Sequence, residues 1–168
     1  MAVDPHTHIL PEAFLEDLRK GRLGKAVKIE QREGTEWMTF EATIFGKERS
    51  WRNILNESYY VIDIRLKDMK RMGVERQILS ISPFMTLYAL DAGLNKDLSG
   101  SINHGLSALV QSHPNQFSCM AQVPLQDPVA AAEELERAVR SGHIGVQIAA
   151  NVAGVNLDDP GLDAFWEK

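Results

Sequence analysis

The chain has 168 residues, of which 44% are hydrophobic and 24% charged, with a formal net charge of −5. This is enough apolar residue for one real core, in the proportions of an ordinary globular domain. Acids and bases are interspersed, which argues against a nucleic-acid-binding tract, and no apolar run is long enough to cross a bilayer. The single cysteine, Cys119, excludes an internal disulfide framework. It sits in an apolar run and reads as a small core residue rather than a nucleophile. The start carries no signal-peptide pattern, so the expectation is a soluble, cytoplasmic protein with no nucleic-acid or membrane partner.

A short apolar start leads into Asp4-Pro5-His6-Thr7-His8. In an extended strand the side chains alternate, so Asp4, His6 and His8 are expected on one side and Thr7 on the other. Two imidazoles projected from a strand end into one space can grip a single metal ion. The plain alternative is a pair of exposed N-terminal histidines without a role.

Pro11 suits a first helical position, and Glu12 to Arg19 follows with Phe14, Leu15 and Leu18 on one side. Residues 20–58 have a different texture. Glycines at 21, 24, 34 and 46 break the segment, and 26–31 and 37–45 alternate as strands do. This predicts a small antiparallel sheet inserted over one end of the main domain. From Tyr60 the chain becomes regular. A helix is expected over Ile64 to Met72, stopped by Gly73, then a strand over Arg76 to Ser82. A long helix carries Leu90 through Val110, and His113-Pro114-Asn115 turns into a strand over Phe117 to Val123. Asp127-Pro128 caps an alanine-rich helix that ends at Gly142. Ile144 to Ala149 reads as another strand, and Asp159-Pro160 starts a last helix.

Alternating strands and helices imply α/β architecture with a parallel sheet and right-handed crossovers. A doubly wound sheet usually shows a glycine-rich loop after its first strand, whereas this chain has His-Thr-His there, which favours a TIM-like (β/α)8 barrel. Such a barrel takes about 250 residues. Four β/α units make half of one, and half a barrel leaves two open strand edges. The expectation is a single incomplete barrel domain over residues 1–168, with 20–58 as its β-rich insertion. It would be the N-terminal half of a longer protein, or a chain that must pair to complete itself.

These residues resemble the metal-dependent amidohydrolase superfamily, and more narrowly its aminocarboxymuconate-semialdehyde decarboxylase-like branch. The carrying features are Asp4-x-His6-x-His8 and the Ile9-Leu10-Pro11 that follows. Arg65-Leu66-Lys67-Asp68-Met69 with Gly73-Val74, Pro114-x-x-Phe117, Val123-Pro124, Gly145-Val146-Gln147-Ile148 and Asn156-Leu157-Asp158-Asp159 complete the likeness. The resemblance implies a barrel whose site lies at the C-terminal strand ends, with His6 and His8 as two ligands of zinc or another divalent metal. The family's remaining ligands, a third histidine and an aspartate, fall beyond Lys168. It implies a decarboxylase acting on a small unsaturated or aromatic carboxylic acid through a metal-activated water, or a hydrolase of the same superfamily. A non-catalytic half-barrel serving assembly is the alternative from another class. Asp4 is assigned behind the ligands, orienting a histidine or a strand-end backbone group. Arg52, or else nearby Arg49, is assigned to the substrate carboxylate, and Phe84 and Met85 to the pocket wall. Relatives suggest a homodimer. His104 lies in a helix and His113 and His143 precede strands, so none of the three is expected as a ligand.

Overall fold

A computed structural model describes residues 2–23, 26–44 and 47–168. Strand β1 (Val3–His8) is followed by helix α1 (Glu12–Arg19), which buries Phe14, Leu15 and Leu18. Full burial of one such side chain contributes roughly 1.5–3 kcal/mol, so this face anchors the helix. The next three strands, β2 (Val27–Arg32), β3 (Thr35–Ile44) and β4 (Lys47–Ile54), form an antiparallel sheet in that order. Its first hairpin turns on Glu33 and Gly34, both at positive φ, as a two-residue turn between right-twisted strands requires. The sheet was expected, but β4 was not. Its sequence, Lys-Glu-Arg-Ser-Trp-Arg-Asn-Ile, carries too little apolar alternation to announce itself, and pairing with β3 makes the strand. Phe45, expected within this sheet, lies outside the described residues.

Helix α2 (Ile62–Met72) ends on Gly73 in the left-handed conformation, where a glycine carries no Cβ penalty. Strand β5 (Arg76–Ser80) follows, then helix α3 (Ala92–Ser112), capped by the Asp91 carboxylate accepting from the Leu94 amide. Strand β6 (Phe117–Cys119) and helix α4 (Pro128–Arg140), capped by Asp127, come next. A small hairpin of β7 (Asn151–Val152) and β8 (Val155–Asn156) precedes α5 (Asp163–Trp166). That hairpin had no sequence signal beyond Ala153-Gly154, which take positive φ at its turn.

Strands β1, β5 and β6 pair in parallel with β5 in the middle. The expected strand over Ile144 to Ala149 does not form as one; it makes a single parallel bridge, Val146 to Ala121, just beyond the end of β6. Its carbonyls and amides still engage, as the Ala121 amide donates to Gly145 and the Gln147 amide to Ala121. Helices α1 and α3 pack closely over the sheet. A Cβ placed on Gly105 of α3 would lie 2.5 Å from the Pro11 Cβ, so only glycine permits this approach. One core gathers Phe14, Leu15, Leu79, Ile102, Leu106 and Phe117, and Met38 and Phe40 of the antiparallel sheet join it.

Candidate metal centre

The backbone of β1 is not a plain ladder. Asp4 pairs with Gln77 of β5, and Thr7 pairs with Leu79, so three steps on β1 match two on β5. The extra residue falls at Pro5-His6, where proline has no N–H to give to a ladder. This bulge corrects the expected alternation. His6 and His8 share one face, but Asp4 is turned with Thr7 to the other, where Gln77 and Leu79 lie. The negative charge of Asp4 acts on Arg65 of α2. Asp4 still touches the motif, because its Oδ1 accepts the His6 amide at 3.3 Å.

The rings of His6 and His8 meet edge to face with centroids 4.8 Å apart. His6 is exposed, whereas His8 is half-buried and held at several points. Its Nδ1 lies 3.2 Å from the Ser80 Oγ, and its carbonyl accepts from the Arg65 guanidinium at 2.6 Å. Arg65 also donates to the Gln77 side chain at 3.0 Å, tying α2, β1 and β5 together. Burial lowers the Arg65 pKa, and the charges of Asp4 and Asp68 oppose that effect. Burial lowers the His8 pKa from its ordinary value, and neighbouring His6 adds to the shift; the carbonyls of Ile81 and Ser80 oppose it. The result favours neutral imidazole, the form that ligates metal. Two such rings converging at a strand end fit two ligand positions of a divalent ion. Among the described residues no group of three histidine, cysteine or acidic side chains gathers at one point.

Beside His8 opens a cleft of about 580 Å³ between the antiparallel sheet and the C-terminal ends of β1 and β5. His8, Arg52 and Met85 all line it, together with Met38, Phe40 and Asn53. The arginine has no ion-pair partner among the described residues. Its register partner is Thr39, while Asn53 stands opposite Met38. Alternation therefore sends Asn53 to the face of Met38 and Phe40, and Arg52 to the other face. His6 is not among the lining residues. The side chains of Phe84 and Arg49 lie outside the described residues. Asn53, Ser80 and Arg65 were missed as site residues. Their signal in the sequence was weak: a polar residue closing a buried strand, and a basic residue on the inner side of an amphipathic helix.

The remaining histidines sit away from this end. His104 is exposed on α3, and His113 stacks edge-on against Phe117. His143 is buried, with Nδ1 3.0 Å from the Ala138 carbonyl.

No protein-family model matches the chain. It is 28% identical over 169 residues to the 2-amino-3-carboxymuconate-6-semialdehyde decarboxylase of Dictyostelium discoideum, covering 100% of this chain and 45% of that protein. It is 31% identical over 128 residues to the gamma-resorcylate decarboxylase of Rhodococcus jostii, covering 70% and 39%. The chain thus spans less than half the length of the curated relatives it matches. Among solved structures, an amidohydrolase from Staphylococcus aureus superposes with a TM-score of 0.68 at 18% identity, over 99% of this chain and 43% of that one. The 5-carboxyvanillate decarboxylase of Novosphingobium aromaticivorans, a manganese complex, gives a TM-score of 0.59 at 29% identity, over 61% and 30%. The sheet order and these relatives converge: the chain has the fold of the amidohydrolase structures and is similar in sequence to the N-terminal part of the aminocarboxymuconate-semialdehyde and γ-resorcylate decarboxylases.

Proposed function

We propose that the protein is a divalent-metal-dependent decarboxylase of a small aromatic or unsaturated carboxylic acid. In this reading residues 1–168 form a single incomplete barrel domain of about four β/α units, with Ile144 to Ala149 contributing the fourth strand and 20–58 inserted as a β-rich segment. The observation that carries the reading is one cleft lined by His8, by Arg52, which has no ion-pair partner among the described residues, and by apolar walls.

His6 and His8 would hold the ion, zinc, manganese or another divalent metal. When bound, it supplies positive charge that draws electron density from the acid. A catalytic site of this kind normally takes three protein ligands, and these histidines supply two of them. Arg52 is assigned to the substrate carboxylate, because a guanidinium fork donates to two carboxylate oxygens at once. Met38, Phe40 and Met85 give the cleft apolar surface that excludes water. A carboxylate deprived of water is destabilised relative to neutral carbon dioxide, so these walls favour departure of the group. The carbon–carbon bond breaks with its electron pair left on the substrate carbon, and a proton replaces the carboxyl group there.

Carbon dioxide release from 2,6-dihydroxybenzoate and 5-carboxyvanillate, assayed with the metal-loaded protein, tests the proposal. Release with formation of the decarboxylated phenol supports it. Hydrolysis of ester or amide substrates without any carbon dioxide release would replace decarboxylation with hydrolysis.

A further inference from the structure

His8 is the better-held member of the histidine pair, and the one side chain hydrogen-bonded to its ring is a hydroxyl, with the main-chain carbonyls of Ile81 and Ser80 nearby. The Ser80 side chain is buried at the end of β5. Its Oγ lies 3.2 Å from the His8 Nδ1 and 3.3 Å from the Thr7 carbonyl oxygen. A serine hydroxyl has one proton to donate and lone pairs to accept with. A carbonyl oxygen can only accept, so the hydroxyl proton goes to Thr7. The contact to His8 is then satisfied only if the imidazole donates, which places its proton on Nδ1. Nε2 is left with a free lone pair.

The register makes this arrangement a property of the ladder. His8 and Ser80 are cross-strand partners in the parallel pair, and Thr7 precedes His8 on the same strand. The Ile9 amide donates to the Ser80 carbonyl at 3.0 Å, so the serine's own backbone is fixed from β1. Arg65 fixes the His8 carbonyl. His6 has no such support: among the described residues its ring meets only His8, and its amide meets Asp4.

We infer that Ser80 is the positioning residue of the metal centre, holding neutral His8 in the Nδ1–H tautomer so that Nε2 is the nitrogen presented to the metal. This rests on the reading of His8 as a ligand. Ring nitrogens of ligating histidines are commonly fixed in this way by a hydrogen bond to the other nitrogen, and loss of that partner typically weakens metal affinity 10–100-fold.

The test uses the metal-free protein labelled with 15N-histidine, with ring couplings recorded at pH 8, where imidazole is neutral. His8 is expected as the Nδ1–H form. Ser80→Ala is expected to lose that preference, and Ser80→Thr, which keeps the hydroxyl, to retain it. A wild-type His8 in the Nε2–H form, or an unchanged tautomer in Ser80→Ala, overturns the inference. Titration with Mn²⁺ forms the second arm. Ser80→Ala should bind about 10–100-fold more weakly than wild type while Ser80→Thr stays near it; equal affinity in all three overturns the positioning role. A wild type that takes up no Mn²⁺ but shows the Ser80-dependent tautomer overturns the metal-centre reading and supports the tautomer assignment. Unchanged far-UV circular dichroism of each variant separates these effects from misfolding.

Discussion

Arg65 donates to the main-chain carbonyl of His8 over 2.6 Å, across the gap between α2 and the end of β1. The same guanidinium reaches Gln77 on β5, so one side chain joins three elements at the point where the paired-histidine motif leaves its strand. A hydrogen bond to a charged group contributes about 1.5–3 kcal/mol. Arg65→Met, which keeps the stem and removes the fork, should cost about 2 kcal/mol. For a chain of this size that lowers the melting temperature by about 4–8 °C. Calorimetry of the variant checks this, and an unchanged transition would mean the clamp adds nothing.

The histidines should account for bound metal. Wild type purified after growth with both zinc and manganese is expected to carry about one divalent ion per chain. His6→Ala and His8→Ala should each lose most of it, and the double variant all of it. Elemental analysis reads the result directly. Full occupancy in the double variant would move the site elsewhere.

Arg52 should govern affinity for an acidic substrate more than turnover. Arg52→Ala is expected to raise KM about 10–100-fold, the loss of one charge-assisted contact, with kcat changed less. Steady-state kinetics on a carboxylate substrate show the split. An unchanged KM would return Arg52 to the surface, and its register with Thr39 would then be the reason. The same assay on Asn53→Ala then asks whether Asn53, on the opposite face of β4, is the polar contact.

His143 makes stability depend on pH in a definite direction. Burial lowers its pKa below the ordinary 6.5, and the Arg137 charge adds to the shift. The unfolded chain therefore takes up a proton at a higher pH than the folded one. Stability is fully present above about 6.5 and declines as pH falls through 6.5 towards the folded value. The urea midpoint should be lower at pH 5.5 than at pH 7.5. His143→Gln should flatten that dependence, and an equal slope in the variant would assign it to other groups.

Cys119 should be inert in the folded protein. It is fully buried in β6, and burial raises its thiol to about 12. Since the thiolate is the reactive form, a disulfide reagent at pH 8 should label no cysteine until denaturant is added. Rapid labelling without denaturant would show that this strand opens.

Much of this chain is legible from sequence because its signals are local. Helix faces such as Phe14, Leu15 and Leu18, the Gly73 stop and the Asp127-Pro128 cap all act within one or two turns, so periodicity and capping suffice. The His6–His8 pair is legible for the same reason: two side chains two residues apart on a strand share a face. What the tertiary structure decided is everything that depends on a partner far along the chain. The bulge at Pro5-His6 exists only against the register of β5, and it turns Asp4 away from the histidines towards Arg65. β4 becomes a strand because β3 offers it a ladder. Ser80 and Arg65 stand 72 and 57 residues from His8, and no spacing rule connects them. The histidine pair was visible in the sequence; the set of the His8 ring and carbonyl became visible only when the parallel pairing of β1 and β5 brought a hydroxyl and a guanidinium to it.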